Sequence, residues 1–186
     1  PFAYFAGRVA MLCGLSLVAA AGAVSGVATR LKWPNDLIYD AAADWLKLAG
    51  MLSEVVLSDA GQPVALVVGV GVNVNVAAGD LPALAPNAGS LSALTGTEVS
   101  RVDLLDTFLG EIESRYADLL CGADPVTAWR EQLAWLGSPV VVHGADDIIQ
   151  GIAEDIDVEG ALVLRLPDGE TRRFLAGDVS LRPGSY

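Results

Sequence analysis

Between Arg8 and Arg30 the chain carries no charged residue, and the fate of Val9–Thr29 limits what everything after it can build. A run this long and this apolar either crosses a membrane, acts as a secretory leader, or lies inside a protein core. The Arg8 that precedes it and its Ala-rich end fit the first two. Its composition argues for the third. It is mostly Ala, Gly and Ser, with Gly14, Gly22 and Gly26 inside it, and such residues gain little on transfer to lipid compared with Leu, Ile and Phe. The expectation is a buried helix over about Val9–Val24 in a layered α/β domain, with no membrane association. The chain opens on Pro1 and not Met, so a natural start further upstream is expected.

With 53% hydrophobic residues in 186, a full core is expected and disorder is not. The length allows one domain, or a medium domain with a small one. Lys and Arg total 11 against 23 Asp and Glu, a net charge of −12. That surface repels phosphate backbones, so no nucleic-acid partner is expected. Cys13 and Cys121 have no CxxC context and read as free thiols in a reducing cytosol, which makes the expected location cytoplasmic. His143 is the only histidine and reads as a strand end. No His-based metal site or serine-type triad is expected without it.

Past the helix, Ala28–Leu31 reads as a short strand, Lys32-Trp33-Pro34-Asn35-Asp36 as a turn, and Leu37–Tyr39 as a second extended run. Asp40–Asp44 looks like a hairpin tip. Trp45–Leu57 and Val64–Val76, divided by the polar Ser58–Pro63, read as adjacent strands, the second apolar enough to be central and covered on both sides. A short helix is expected near Leu91–Leu94. Ser100 and Asp103 cap an amphipathic helix whose apolar face reads as Val102, Leu105, Leu109, Ile112, Tyr116 and Leu119. Asp124-Pro125 opens another helix, running to about Leu136. Gly137-Ser138-Pro139 is the best boundary, dividing 1–137 from 138–186. Beyond it come Val140–His143, Ile148–Asp155, Ala161–Leu166, Thr171–Ala176 and Val179–Leu181, five short strands that suggest a small SH3-like β-barrel. The acidic groups Asp146-Asp147 and Asp155–Asp157 fit solvated turns, not a calcium loop.

Three clusters carry candidate chemistry: Lys32-Trp33-Pro34-Asn35-Asp36, Lys47-Leu48-Ala49-Gly50-Met51-Leu52-Ser53-Glu54, and Gly69-Val70-Gly71-Val72-Asn73. Lys47 stands in an apolar strand, where an inward charge needs a counter-anion; from spacing alone it also fits the solvent face of an edge hairpin. Asn35 and Asp36 fit simple Asx-turn formers equally well. Gly50 permits close approach to the backbone. Asn73 offers a buried amide that wants partners. Gly69–Gly71 lacks the third glycine and following helix of a dinucleotide fingerprint.

Taken in order, the three clusters resemble those of biotin–protein ligases. Gly151–Leu162 and Gly177–Arg182 are similar to that family's C-terminal segment, so the likeness runs from about Leu15 to Arg182. It implies a catalytic core like that of class II aminoacyl-tRNA synthetases, followed by the SH3-like domain. It also implies adenylation of biotin by ATP with Mg2+, then transfer to a lysine of a biotin carboxyl carrier domain, and it allows a homodimer. By resemblance Lys47 stabilises the acyl-phosphate charge and Asp36 lies near the incoming lysine. Asn73 lies beside the adenylate, with Gly50, Gly71 and Asn35 lining the site and Lys32 and Trp33 as further candidates. The family's Gly-Arg-Gly loop over biotin does not occur in this sequence, and Pro1–Phe5 reads as the stub of the strand after it. The chain alone is therefore expected not to release pyrophosphate from biotin and ATP. Alternative readings are a lipoate or octanoate ligase relative, and a non-catalytic module that binds a carrier or a second subunit.

Overall fold

The charge-free run folds into one long helix, α1 (Phe2–Ser25). It begins earlier than the sequence suggested: Phe2–Phe5, read as a strand stub, are its first turn. Nothing in Ala3–Ala6 breaks a helix, and Arg8, one turn on, is anchored to Asp124 at 3.0 Å and stacks on the Tyr4 ring at 3.7 Å. The helix stops at Gly26, whose φ of 72° is the left-handed geometry of a helix end. By length and composition α1 could cross a membrane, yet Leu17, Ala20 and Ala21 are completely enclosed by protein. The Ala- and Gly-rich surface lets neighbours come close. A Cβ on Gly14 would meet Leu31 and Met51 at 3.3–3.4 Å.

The structure, a computed structural model, describes residues 2–41, 44–143, 148–175 and 180–183. The middle of the Asp40–Asp44 tip, the expected turn at 144–147, and residues 176–179, with the ends of two expected strands, lie outside those residues. Against one side of α1 packs an antiparallel sheet of β1 (Arg30–Lys32), β2 (Asp36–Ala41), β3 (Asp44–Leu57) and β4 (Pro63–Val72), in that order. Here the expected central strand is an edge. β4 ends at Val72, and Val64 and Val67 are exposed. An unbroken Val/Leu run reads alike whether both faces are covered or one face and the edge are open.

The short helices α2 (Leu81–Leu84) and α3 (Leu91–Thr95) follow, then α4 (Arg101–Leu120), capped by the Ser100 hydroxyl, which accepts the Asp103 N–H at 3.2 Å. The face of α4 turned to α1 is Leu104, Phe108 and Ile112, whereas Val102, Leu105, Leu109 and Tyr116 are exposed. Two apolar stripes run along this helix, and only tertiary packing chose between them. α5 (Val126–Gln132) is shorter than expected and closes on Leu133.

After Gly137 come β5 (Pro139–His143), β6 (Ile148–Ile156), β7 (Leu162–Arg165), β8 (Thr171–Phe174) and β9 (Ser180–Pro183). They form one antiparallel sheet in the order β8-β7-β6-β5-β9. The strands match the sequence reading; the barrel does not. β8 and β9 stand at opposite edges and no ladder joins them among the described residues, so the sheet is open. Strand number is written in turns and apolar runs, but closure depends on shear and coil, which residue patterns do not carry.

Candidate active site

Lys32, Trp33, Pro34, Asn35 and Asp36 form the turn of the β1–β2 hairpin, with Lys32 directly opposite Asp36. Asp36 in turn stands opposite Gly50 of β3, and Gly50 opposite Gly71 of β4. Lys32, Asp36, Gly50 and Gly71 therefore make one row across all four strands, on the face turned away from α1. Directly paired residues share a face, so the register alone fixes this row.

Lys47 joins the row because β3 bulges. Leu37 pairs with Ala49 but Ile38 pairs with Lys47, leaving Leu48 as the extra residue. The bulge returns Lys47 to the face that carries Asp36. Its ammonium lies 2.6 Å from Asp36 Oδ1, and that of Lys32 lies 3.5 Å from Asp36 Oδ2. The two cations differ in setting. Lys32 is only 4% exposed and sits 5.4 Å over the Trp45 ring, whereas the Lys47 side chain is 41% exposed. The sequence expectation of an inward Lys47 is thus corrected: the enclosed lysine is Lys32, and Lys47 reaches solvent past the carboxylate that holds it.

Gly50 lets this pair lie close against the strand. A Cβ there would stand 3.3 Å from Lys47 Cε and Nζ and 3.4 Å from Asp36 Oδ1. Gly71 would meet nothing, and Gly69, two residues along β4 on the same face, only Leu52 O at 3.8 Å. Three glycines thus leave a floor without side chains beside the Lys47–Asp36 pair. A flat group can lie on such a surface.

Asn35 is occupied structurally. Its side-chain N–H donates to Met51 O at 2.5 Å, and its own carbonyl accepts from the Met51 N–H at 2.9 Å. This clamps the turn to β3. Asn73 lies just past β4, its N–H donating to Leu48 O and its carbonyl accepting from Leu91 N–H. Its side-chain amide has no hydrogen-bond partner among the described residues and stays available. Trp33, 1% exposed, donates its indole N–H to Gly160 O at 2.9 Å.

Several participants escaped the sequence reading. The segment Asn87–Gly89 runs beside β3, with Lys47 N–H donating to Asn87 O and Gly89 N–H to Lys47 O. A Cβ on Gly89 would lie 2.8 Å from Leu46 Cβ, so only glycine fits there. The buried Ser90 hydroxyl donates to Val76 O at 2.7 Å and accepts from Ala93 N–H. Asn75 clamps Val99 through both backbone groups. The one readable signal was Lys32 and Asp36 flanking a short turn, which faces them across a hairpin. A cavity bounded by Leu17, Val70, Val72 and Phe108 opens on the α1 side of the sheet, away from this row.

Residues 135–182 match the family model described as biotin protein ligase C terminal domain. The biotin–[acetyl-CoA-carboxylase] ligase of Paracoccus denitrificans is 35% identical over 172 residues, covering 88% of this chain and 69% of the relative. The chain belongs to the biotin–protein ligase family. Among its members, the bifunctional ligase/repressor BirA of Bacillus spizizenii is 27% identical over 94% of this chain, which spans 53% of that relative's length. The structure of the Aquifex aeolicus biotin protein ligase in complex with biotin and ATP superposes with a TM-score of 0.77. It shares 25% identity and covers 95% of this chain and 72% of its own.

Proposed function

We propose that this chain supplies the adenylate-facing part of a cytoplasmic biotin–protein ligase, which activates biotin with ATP and passes it to a lysine of a biotin carboxyl carrier domain. The observation that carries this reading is the placement of Lys47. Its ammonium is held 2.6 Å from Asp36 at the rim of an open glycine floor, with 41% of its side chain exposed. An anion lying on that floor meets a fixed cation, and of the two lysines Lys47 is the one that reaches solvent.

In the first step a biotin carboxylate oxygen attacks the α-phosphorus of ATP and the bond to pyrophosphate breaks. Lys47 meets the charge that accumulates on both partners, a preset electrostatic contribution. Gly50, Gly69 and Gly71 give the acyl-phosphate room to lie against the sheet, and the free Asn73 amide offers a donor and an acceptor to the adenine edge. In the second step the acceptor amine attacks the acyl carbonyl and AMP departs. Asp36, one residue from the turn tip, orients that amine. Lys32 holds Asp36 in place, while Asn35 and Trp33 fix the turn and need not touch substrate. Mg2+ carried in with ATP would shield the triphosphate charge; among the described residues no three His, Cys, Asp or Glu side chains converge, which fits an ion held mainly by the phosphates.

The same reading divides the chain at 137/138 into a class II synthetase-like part and an SH3-related part, the second met here as an open sheet. Because the Gly-Arg-Gly loop is not in this sequence, binding of preformed adenylate is a sharper test than turnover. Titrating the chain with a non-hydrolysable sulfamate analogue of biotinyl-5′-AMP should give saturable binding, weakened about tenfold or more by Lys47→Ala. Equal affinity of the two proteins, or none in either, would sink the assignment.

A further inference from the structure

A hydrogen bond from the Trp33 indole to Gly160 O ties the C-terminal sheet to the active-site hairpin, and the residues around that bond hold its acceptor in place. The turn between β6 and β7, Asp157–Gly160, presents the Gly160 carbonyl to the Trp33 indole N–H at 2.9 Å. Trp33 is a member of the turn that carries Asp36. Gly160 has a φ of 82°, and a Cβ on it would lie 2.5 Å from Met11 Cε on α1. A side chain there would be strained by that φ and would have to displace the Met11 terminus, so glycine is the residue that fits.

The turn behind the carbonyl is braced several times over. The Asp157 carboxylate accepts N–H groups of Glu159 at 2.8 Å and Ala161 at 3.0 Å, and the Arg173 guanidinium at 2.6 Å. Arg173 also reaches Glu159 at 2.7 Å. Four polar contacts on an exposed turn do little for a core. They fix where one carbonyl points.

We propose that the Asp157–Gly160 turn is a positioning element for the ligase site, setting the place of the Asp36 carboxylate through the Gly160 carbonyl and the Trp33 indole. Trp33 is then a positioning residue, and the C-terminal sheet takes part in acyl transfer without touching substrate. A displacement of about 1 Å in such a group is enough to cost a large factor in rate. The catalytic half of this inference rests on the ligase reading above; the geometric half does not.

Amide hydrogen exchange on the intact chain tests the geometric half. Trp33→Phe keeps a ring in the core and removes the donor; Asp157→Ala leaves the core untouched and loosens the turn. Met51 N–H, bonded to Asn35 O, reports the active-site turn, and Ser58 N–H, bonded to Gln62 O, reports the far end of the same sheet. Both variants should lose about tenfold more protection at Met51 than at Ser58. An equal loss at both positions, the mark of simple destabilisation, overturns the proposal, as does unchanged Met51 protection in folded Asp157→Ala. Should Trp33→Phe fail to fold, Asp157→Ala decides alone.

For the catalytic half, biotinyl-5′-AMP and a carrier domain are supplied and lysine biotinylation is followed. In both variants kcat should fall about tenfold with KM for the carrier unchanged; an unchanged kcat overturns that half. If the unaltered chain transfers nothing above blank, the ligase reading falls instead, and positioning is still decided by the exchange measurement.

Discussion

Two lysines hold one carboxylate, and their surroundings give them different work. Lys32 is enclosed between Asp36 and the Trp45 ring. Replacing it by Ala leaves Asp36 with Lys47 but empties an enclosed site beside a buried carboxylate, so Lys32→Ala should lower stability by about 1.5–3 kcal/mol, read by urea denaturation. Lys47 is open to solvent along much of its side chain. Lys47→Ala also takes a partner from Asp36, but opens no space in the core, so it should cost less stability than Lys32→Ala while removing about 10²–10³ of the adenylation rate in a catalytically complete ligase. The reverse pattern, the larger stability loss at Lys47 and the rate loss at Lys32, would exchange the two assignments. The sequence marked Lys47, Asp36 and Asn73 through their motifs, yet left the inward cation as the wrong lysine. The reason is the bulge at Leu48. One inserted residue decides which side chains share a face, and nothing in Lys47-Leu48-Ala49-Gly50 announces it.

Helix α4 and the Asp157–Gly160 turn show what elements hide and reveal. The ends of α4 were legible, because a Ser cap is a local hydrogen bond. Its buried face was not, since two apolar stripes compete. Leu104→Ala should therefore cost about 2–3 kcal/mol, and Leu105→Ala no more than about 0.5 kcal/mol, in the same denaturation experiment; similar costs would mean that α4 is rotated from the orientation described. β4 misled in a related way, since an edge covered on one face carries the same Val-rich run as a central strand. At the β6–β7 turn, desolvation tends to raise the Asp157 pKa. The Glu159 and Ala161 N–H groups and Arg173 outweigh it and hold the carboxyl below its ordinary value. A depressed folded-state pKa gives stability that is complete above the unfolded value of about 3.9 and is lost as pH falls through the lower folded one. Asp157→Asn should lower stability by a constant amount above about pH 4, pH 7 included, and that difference should shrink as pH falls, flattening the acid limb of the stability profile.

Across the whole molecule, the two sheets are joined by more than a covalent link. Gly137 N–H donates to Ala153 O and Ala153 N–H to Ser138 O, Arg130 pairs with Asp155 at 2.6 Å, and Trp33 with Gly160. Met11 packs where a Gly160 side chain would stand. A five-stranded open sheet of fewer than about fifty residues buries too little surface to stand well alone, so its stability is borrowed from α1 and the Lys32–Asp36 hairpin. The two parts should therefore unfold together. All four tryptophans (33, 45, 129 and 135) precede the boundary, so their fluorescence reports the first part, with Trp33 also sensing its contact with Gly160. Amide exchange at Val140 and Val142, buried in β5, reports the second. In urea the fluorescence midpoint and the loss of β5 protection should coincide for the unaltered chain. Gly160→Ala forces a Cβ against Met11 and an unfavourable φ, so it should part the transitions, with β5 losing protection at lower urea. Coincident midpoints in Gly160→Ala would mean that this turn is not what couples the two parts, and separate ones in the parent chain would mean that the C-terminal sheet unfolds as a free-standing domain.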